Sequence, residues 1–282
     1  MNLNILTAAD DNATHSHRWP FRWVVFCGIV LMVGLASYAV FSGGPWGERG
    51  NLPASFQLDL GVQVAIDPDQ IHYQPQLQFD VPMQQLQAIA AGPQDQIYVA
   101  GDRAVRVFSN TGDDKRVVEL DGEPSCLGVG GVEHLEPGRI YVGVGGDVQA
   151  FHADGQSAGS WRIPKENAVL TCIAVADNDV FVADAGNRLV WRFTPEGQLV
   201  GQIGASDPTQ AVSDFVVSSP YFDVVVGGGD LVHITNPGKL QVTTYTFGGD
   251  FGKAWGRASS ALSGFFGCCN PSHLAMLPDG RL

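Results

Sequence analysis

The sequence predicts an all-β fold of repeated four-stranded units behind one N-terminal membrane helix, and three observations carry that prediction. With 35 glycines, 16 prolines and only 16% charged residues, the composition suits short strands and tight turns better than helices with charged faces. The run Trp23 to Phe41 carries no charge over 19 residues, enough at ~1.5 Å per residue to cross a hydrocarbon core of ~30 Å. A strand-and-turn pattern then returns along the chain. Ile97, Ile140, Val180, Val224 and Leu282 mark the second strand of successive units and lie 43, 40, 44 and 58 residues apart. A period of ~40 to 50 residues with about four strands per unit is that of a β-propeller blade.

Residues 1–22 are polar and expected to form a cytoplasmic tail. Asn12-Ala13-Thr14 matches a glycosylation sequon, but it lies on the predicted cytoplasmic side. Arg18 and Arg22 precede the apolar run, and Arg49 alone follows closely, beside Glu48. The positive-inside bias therefore puts the N-terminus in the cytoplasm and the rest of the chain outside, periplasmic or extracellular. A cleavable signal peptide ending at Ser37-Tyr38-Ala39 is the rival reading; the length of the run favours a signal anchor over residues 23–42. Residues 43–58, with Gly-Gly-Pro and Gly-Glu-Arg-Gly, read as a linker.

The propeller is expected over residues 59–282. Val62, Val64 and Ile66 alternate, and Ile71, Tyr73, Pro75, Leu77, Phe79 and Val81 hold every second position, the period of a strand with one buried face. In a complete ring, the second run, Ile71 to Val81, is a candidate outer strand for the last blade. Units follow from Leu86, Ser125, Leu170, Asp214 and Pro271. Each has an apolar first strand, a polar turn, a second strand ending in a small residue or Asp, a third strand, and a turn such as Asn-Thr-Gly or Pro-Glu-Gly. One such sheet cannot bury both of its apolar faces, so neighbouring units must cover them. Five units are begun and four finished, where a closed ring of six is expected; the propeller reads as incomplete at its C-terminus.

VFVADAGNRLVWRFTPEGQLVGQIG, ending at Gly204, closely resembles the NHL repeat, in which a V-A-D strand leads through an Asn turn to an R-V-x-x-F strand and a Gly turn. The unit from Leu86 is similar to it, and those from Ser125 and Asp214 are looser, with Gly-rich turns in place of the Asp and Asn positions. The resemblance covers about Leu86 to Leu282 and implies an NHL-like β-propeller. Propellers of this kind host ligand binding, protein binding and several enzymes, some relatives being lyases with a metal on the axis.

The net charge of −13 falls wholly on residues 43–282, because Asp10, Asp11, Arg18 and Arg22 cancel. Such a surface repels phosphate backbones, so nucleic acid is not an expected partner. No G-x-S-x-G, H-E-x-x-H, Walker A, dinucleotide, CxxC or CxxCH motif is present. The long connection 248–270 carries Trp255, Phe265, Phe266 and the adjacent pair Cys268-Cys269, and these five residues are the candidate binding face. Its expected occupant is a protein or small-molecule ligand. The cysteine pair has three readings: a strained vicinal disulfide, a metal or redox pair, or two ordinary thiols.

Cys126, Cys172 and His273 hold equivalent places in the first strands of their units, where Ala88 stands in the first. They are candidate axial ligands for zinc, copper or iron, set against the plainer reading of cysteine as a small apolar filler. That set would serve an extracytoplasmic metal-dependent or thiol-redox enzyme, the alternative to a binding propeller. Asp177-Asn178-Asp179 reads as a turn before it reads as a calcium site, Asp184 and Asn187 as turn supports, and His134 and Glu136 as a solvated loop before rim ligands.

Overall fold

The computed structural model describes residues 19–41, 77–204, 215–260, 264–277 and 279–282. The chain divides into two units, Met1–Gln74 and Pro75–Leu282. The first unit holds one described element, helix α1 (Trp19–Phe41), which contains the apolar run. Val30, Leu31, Met32 and Val33 are all exposed on it. Four successive helical positions point around the whole circumference, so α1 is apolar on every side. Among the described residues, no helix is long and apolar enough to cross a membrane. The run expected as a span is thus helical, and its place in a bilayer is a matter for proposal. The tail 1–18, the linker and the alternating run Val62 to Ile66 lie outside the described residues.

The second unit is a β-propeller of four described blades, each a four-stranded antiparallel sheet in simple sequence order. The first blade is β1 (Leu86–Ala91), β2 (Ile97–Gly101), β3 (Ala104–Phe108) and β4 (Asp114–Glu119). The second is β5 (Pro124–Val129), β6 (Ile140–Val144), β7 (Asp147–Phe151) and β8 (Ser157–Arg162). The third is β9 (Leu170–Val175), β10 (Val180–Asp184), β11 (Leu189–Phe193) and β12 (Leu199–Ile203). The fourth is β13 (Val224–Gly227), β14 (Leu231–Asn236), β15 (Gln241–Thr246) and β16 (Phe251–Trp255).

Alternation along each strand gives every blade two apolar faces, and the blades stack to bury them. Tyr98, Val105 and Val118 of the first blade pack on Leu127, Ile140 and Val142 of the second. Cys126, Tyr141 and Val148 of the second meet Ile173, Val182 and Trp191 of the third. Phe181, Val190 and Ile203 of the third meet Val224, Val232 and Ile234 of the fourth. A large apolar side chain buried in this way contributes roughly 1.5–3 kcal/mol, so the core consists of the seams between sheets.

The third blade shows how its sequence closes it. Asp184 is fully buried. Its carboxylate accepts the Val169 and Asn187 backbone N–H groups at 3.0 and 3.1 Å, Asn187 Nδ2 at 2.7 Å and Trp191 Nε1 at 3.1 Å. One side chain therefore ties the incoming connection, the 185–188 turn and the third strand together. Arg192 grips Asp179 of the same blade with Nε and Nη2 at 2.6 and 3.0 Å and, across the seam, donates Nη1 to the Phe247 carbonyl of the fourth blade at 3.0 Å.

Three expectations change. Val224, expected in the second strand of its unit, lies in the first strand of its blade, β13, because residues 215–223 join no sheet and β14 is the second strand. Residues 77–85 belong to no sheet: Phe79 packs its ring on Phe108 at 5.2 Å, and the Gln84 and Gln85 N–H groups are held by Asp102 at 2.6 and 2.8 Å. Their backbone donors are thus satisfied by a side chain rather than by a neighbouring strand. Residues 271–277, the first strand expected of the fifth unit, also join no sheet, although the following turn forms, with Gly280 N–H on the Leu277 carbonyl at 2.9 Å.

Candidate functional site

Antiparallel order fixes which connections share a face. The first strand of each blade runs away from one end of the central channel, the second returns, the third runs away and the fourth returns. All blade-to-blade connections, and the turns between second and third strands, therefore lie at the end where the first strands begin.

The channel, about 680 Å³, is walled by β1, β5, β9, β13 and residues 273–276. Its walls are mostly Ala, Val, Ile and Leu, and its polar groups gather where the first strands begin: Thr171, Cys172, Asp223 and His273. Asp223 organises this mouth. It is 7% exposed, and its Oδ1 accepts the Val224 N–H at 2.9 Å while Oδ2 accepts the Leu274 N–H at 2.7 Å. His273 Nδ1 lies 3.6 Å from Oδ2, and the imidazole packs edge-on against Tyr221 at 5.8 Å. Thr171 Oγ1 donates to the Phe222 carbonyl at 2.5 Å and Cys172 Sγ to the Val224 carbonyl at 3.3 Å, stitching β9 to the start of the fourth blade.

Both channel thiols are protonated at neutral pH. Burial pushes Cys126 up to about 12, with the Asp223 carboxylate adding to the effect. Cys172 is raised well above the ordinary thiol value by burial and then by Asp223. Cys126 is 3% exposed and packs into the seam with Tyr141 and Ile173. Among the described residues, no group of three or more His, Cys, Asp or Glu is placed to hold a metal ion. Of the three expected axial residues, Cys172 and His273 stand beside Asp223, and Cys126 belongs to the wall. Asp223 escaped sequence reasoning because it directly precedes a strand and shares no motif with its equivalents; its only signal was an acidic residue between Phe222 and the run Val224 to Val226.

The long connection folds onto the same end. Trp255 ends β16 and lies 41% exposed, with its ring 5.7 Å from Phe265. Gly256 makes this pairing possible: it sits at φ +101°, and a Cβ there would fall 2.6 Å from the Phe265 ring and 2.8 Å from the Leu240 carbonyl. Phe266 stands 75% exposed beyond them. Cys268 is exposed and Cys269 half-buried, both free thiols, with Sγ atoms 3.3 Å apart. Cys269 Sγ lies 3.6 Å from Ser218 Oγ. Ser218 and Tyr221 belong to the connection between the third and fourth blades. Through them, the five predicted binding residues and the channel mouth occupy one face.

On the opposite face, Asp177, Asn178 and Asp179 line a smaller cavity of about 320 Å³ with Asp230 and Phe247, where Asp179 is engaged by Arg192. His134 and Glu136 depart from the solvated loop expected of them. His134 is 4% exposed, its Nε2 3.2 Å from the buried Tyr141 hydroxyl. Glu136 accepts the Ala153 N–H at 3.0 Å and meets His152 Nδ1 at 3.0 Å. Tyr141 is buried in the seam and its hydroxyl needs a partner; the inserted loop supplies one.

No family model matches the chain, and no curated protein matches it. Among solved structures, virginiamycin B lyase from Staphylococcus aureus aligns with a TM-score of 0.48 and 14% identity, over 63% of this chain and 57% of that one. A streptogramin B lyase aligns at 0.49 and 16% identity, over 66% and 59%. The WD40 repeats of RRP9 align at 0.45 and 10% identity, over 60% and 50%. The chain thus spans under three-fifths of the length of each of these structures. At these values the propeller architecture rests on the strand pairing described above.

Proposed function

We propose that this chain is a membrane-anchored, NHL-like β-propeller whose extracytoplasmic domain binds a protein or small-molecule partner on the face where the first strands begin. One observation carries the reading: Trp255, Phe265 and Phe266 form an aromatic shelf on the face onto which the channel opens. Aromatic side chains give binding area at little entropic cost. The apolar circumference of α1 supports the anchor, since a helix without a polar side needs an apolar surround. The Asp184 and Asn187 turn supports the NHL resemblance.

Site-specific photocrosslinking in cells of the native host tests this. A photoreactive residue at Phe266 captures a discrete partner, and one at Val132, a control in the β5–β6 connection of the opposite face, does not. Capture only at Val132, or at neither, rejects the binding face. Resistance of the full chain to carbonate extraction, lost on deleting residues 1–42, tests the anchor.

A second reading is an extracytoplasmic enzyme working at the channel mouth, and the observation favouring it is the placement of Asp223 beside Cys172 and His273. Stoichiometric zinc, copper or iron in the purified full chain, lost in Asp223→Ala or His273→Ala, supports it. Metal-free protein leaves the binding reading in place.

A further inference from the structure

Beyond Cys27 of α1, the propeller carries four cysteines, and they fall into two chemical classes. Cys126 and Cys172 are walled into the blades, with burial holding them as thiols. Cys268 and Cys269 are adjacent, reduced and accessible, with sulfurs 3.3 Å apart. They are not equivalent to each other. The Ser218 hydroxyl, then the Cys268 thiol, stabilises the anionic form of Cys269 and brings that thiol below its ordinary value. Cys268, as the donor to Cys269, is raised. A thiolate is the attacking species in thiol–disulfide exchange, and a neighbouring thiol completes the reaction.

We propose that Cys268-Cys269 is a dithiol–disulfide exchange site for a low-molecular-weight disulfide, with Cys269 as the attacking sulfur and Cys268 as the resolving one. In the first step Cys269 Sγ bonds to one sulfur of the disulfide, whose S–S bond breaks, and the other half leaves as a thiolate that takes up a proton. In the second, Cys268 loses its proton and its Sγ attacks Cys269 Sγ, expelling the second half as a thiol. The pair is oxidised by two electrons, and one disulfide is reduced to two thiols. The sulfurs close from 3.3 Å to a bond of about 2.05 Å. Bonding to Cys268 draws Cys269 Sγ off Ser218, the contact that ties this turn to the connection between the third and fourth blades. Asn270 Nδ2 donates to the Phe266 carbonyl, so the same turn carries Phe266. The redox state of the pair therefore sets the pose of the aromatic shelf. Only this consequence rests on the binding reading; the exchange chemistry stands apart from it.

The test equilibrates the reduced full chain in graded ratios of glutathione to glutathione disulfide, blocks remaining thiols under denaturing conditions, and reads each cysteine peptide by mass spectrometry. The expected result is that Cys268 and Cys269 escape blocking together, their peptide two hydrogens lighter, and recover on reduction, while Cys126 and Cys172 stay blockable throughout. Cys268→Ser, lacking the resolving sulfur but keeping the Ser218 contact, accumulates a glutathione adduct on Cys269 faster than Cys269→Ser accumulates one on Cys268. A wild-type chain that stops at a stable glutathione adduct, or whose pair stays fully blockable at every ratio, overturns the proposal. Equal adduct rates in the two variants overturn the assigned roles. The wild-type titration depends on no variant folding. Crosslinking from Phe266 in both redox states then separates failure of the exchange from failure of the binding face.

Discussion

Asp223 reaches across the channel mouth to Leu274, its Oδ2 accepting the backbone N–H at 2.7 Å, and this bond fastens residues 271–277 to the fourth blade. No sheet holds that segment, so the side chain stands in for a missing ladder. Asp223→Ala leaves the partly buried Leu274 donor unpaired, at a cost of about 1 kcal/mol, the low end for an orphaned group. The Leu274 amide should then exchange hydrogen markedly faster than amides of β13. The same substitution removes a negative charge beside Cys172, one of the causes that raise its thiol, so alkylation of Cys172 at mildly alkaline pH should quicken. An unchanged Leu274 exchange rate would show that the segment is held by other contacts.

Asp184→Ala should be among the most damaging single changes in the propeller. It strands Trp191 Nε1 and the Val169 and Asn187 N–H groups together, and leaves the Asn187 amide only its bond to the Glu166 carbonyl. With one buried and two partly buried donors orphaned, a loss of roughly 3 kcal/mol is expected, read as a fall in the denaturant midpoint. Asn187→Ala removes one donor and should cost about 1 kcal/mol.

The blades were legible in the sequence because their middle strands are buried on both faces and so read as short apolar runs, Val180 to Ala183 or Leu189 to Trp191, set between turn residues. Asp184 was legible because Asp and Asn at turn positions have a local purpose. What escaped was whatever depends on partners far away in the chain. Nothing local distinguishes Asp223, whose bond to Leu274 spans 51 residues. The burial of His134 follows from a Tyr141 hydroxyl in need of a partner, and Phe79, instead of facing a neighbouring strand, packs on Phe108. The aromatic and cysteine residues of the long connection could be nominated by type, but only the fold puts Cys269 against Ser218.

Acid should destabilise the domain in two steps. Burial, then the Lys253 charge, lowers the His233 imidazole below its ordinary value near 6.5. Its neutral form is therefore favoured in the fold, and its contribution is present above that pH and lost as pH falls through the folded value. Burial works against ionisation of Glu136, but the Ala153 N–H, His152 and Arg139 outweigh it and hold the carboxyl below 4.5. Its contribution is likewise present above that value and lost below it. Melting midpoints measured from pH 7.5 to 3.5 should fall first below about pH 6.5, a step removed by His233→Asn, and again below about pH 4.5, a step reduced by Glu136→Gln. A single smooth decline, identical in both variants, would assign acid sensitivity elsewhere.

Gly256 offers a way to separate the aromatic shelf from the fold that carries it. Phe266 is exposed and buries little, so Phe266→Ala should leave the stability within about 0.5 kcal/mol of the parent while removing most of the shelf's accessible aromatic surface. Gly256→Ala acts from beneath. The backbone stands at φ +101°, where an L side chain is strained, and the new Cβ would lie 2.6 Å from the Phe265 ring, so Phe265 must leave its place beside Trp255. Strain of this kind costs of order 1–3 kcal/mol, and part of it should be relieved in Gly256→Ala/Phe265→Ala, because the clashing ring is gone. A double-mutant cycle on the denaturant midpoint reads that relief directly. Strict additivity would mean that the φ strain at Gly256 and the Leu240 carbonyl set the cost, and that Phe265 is not wedged against the glycine. Positive coupling, together with loss of partner capture in Gly256→Ala and Phe266→Ala alike, would tie capture to the pose of the aromatic rings.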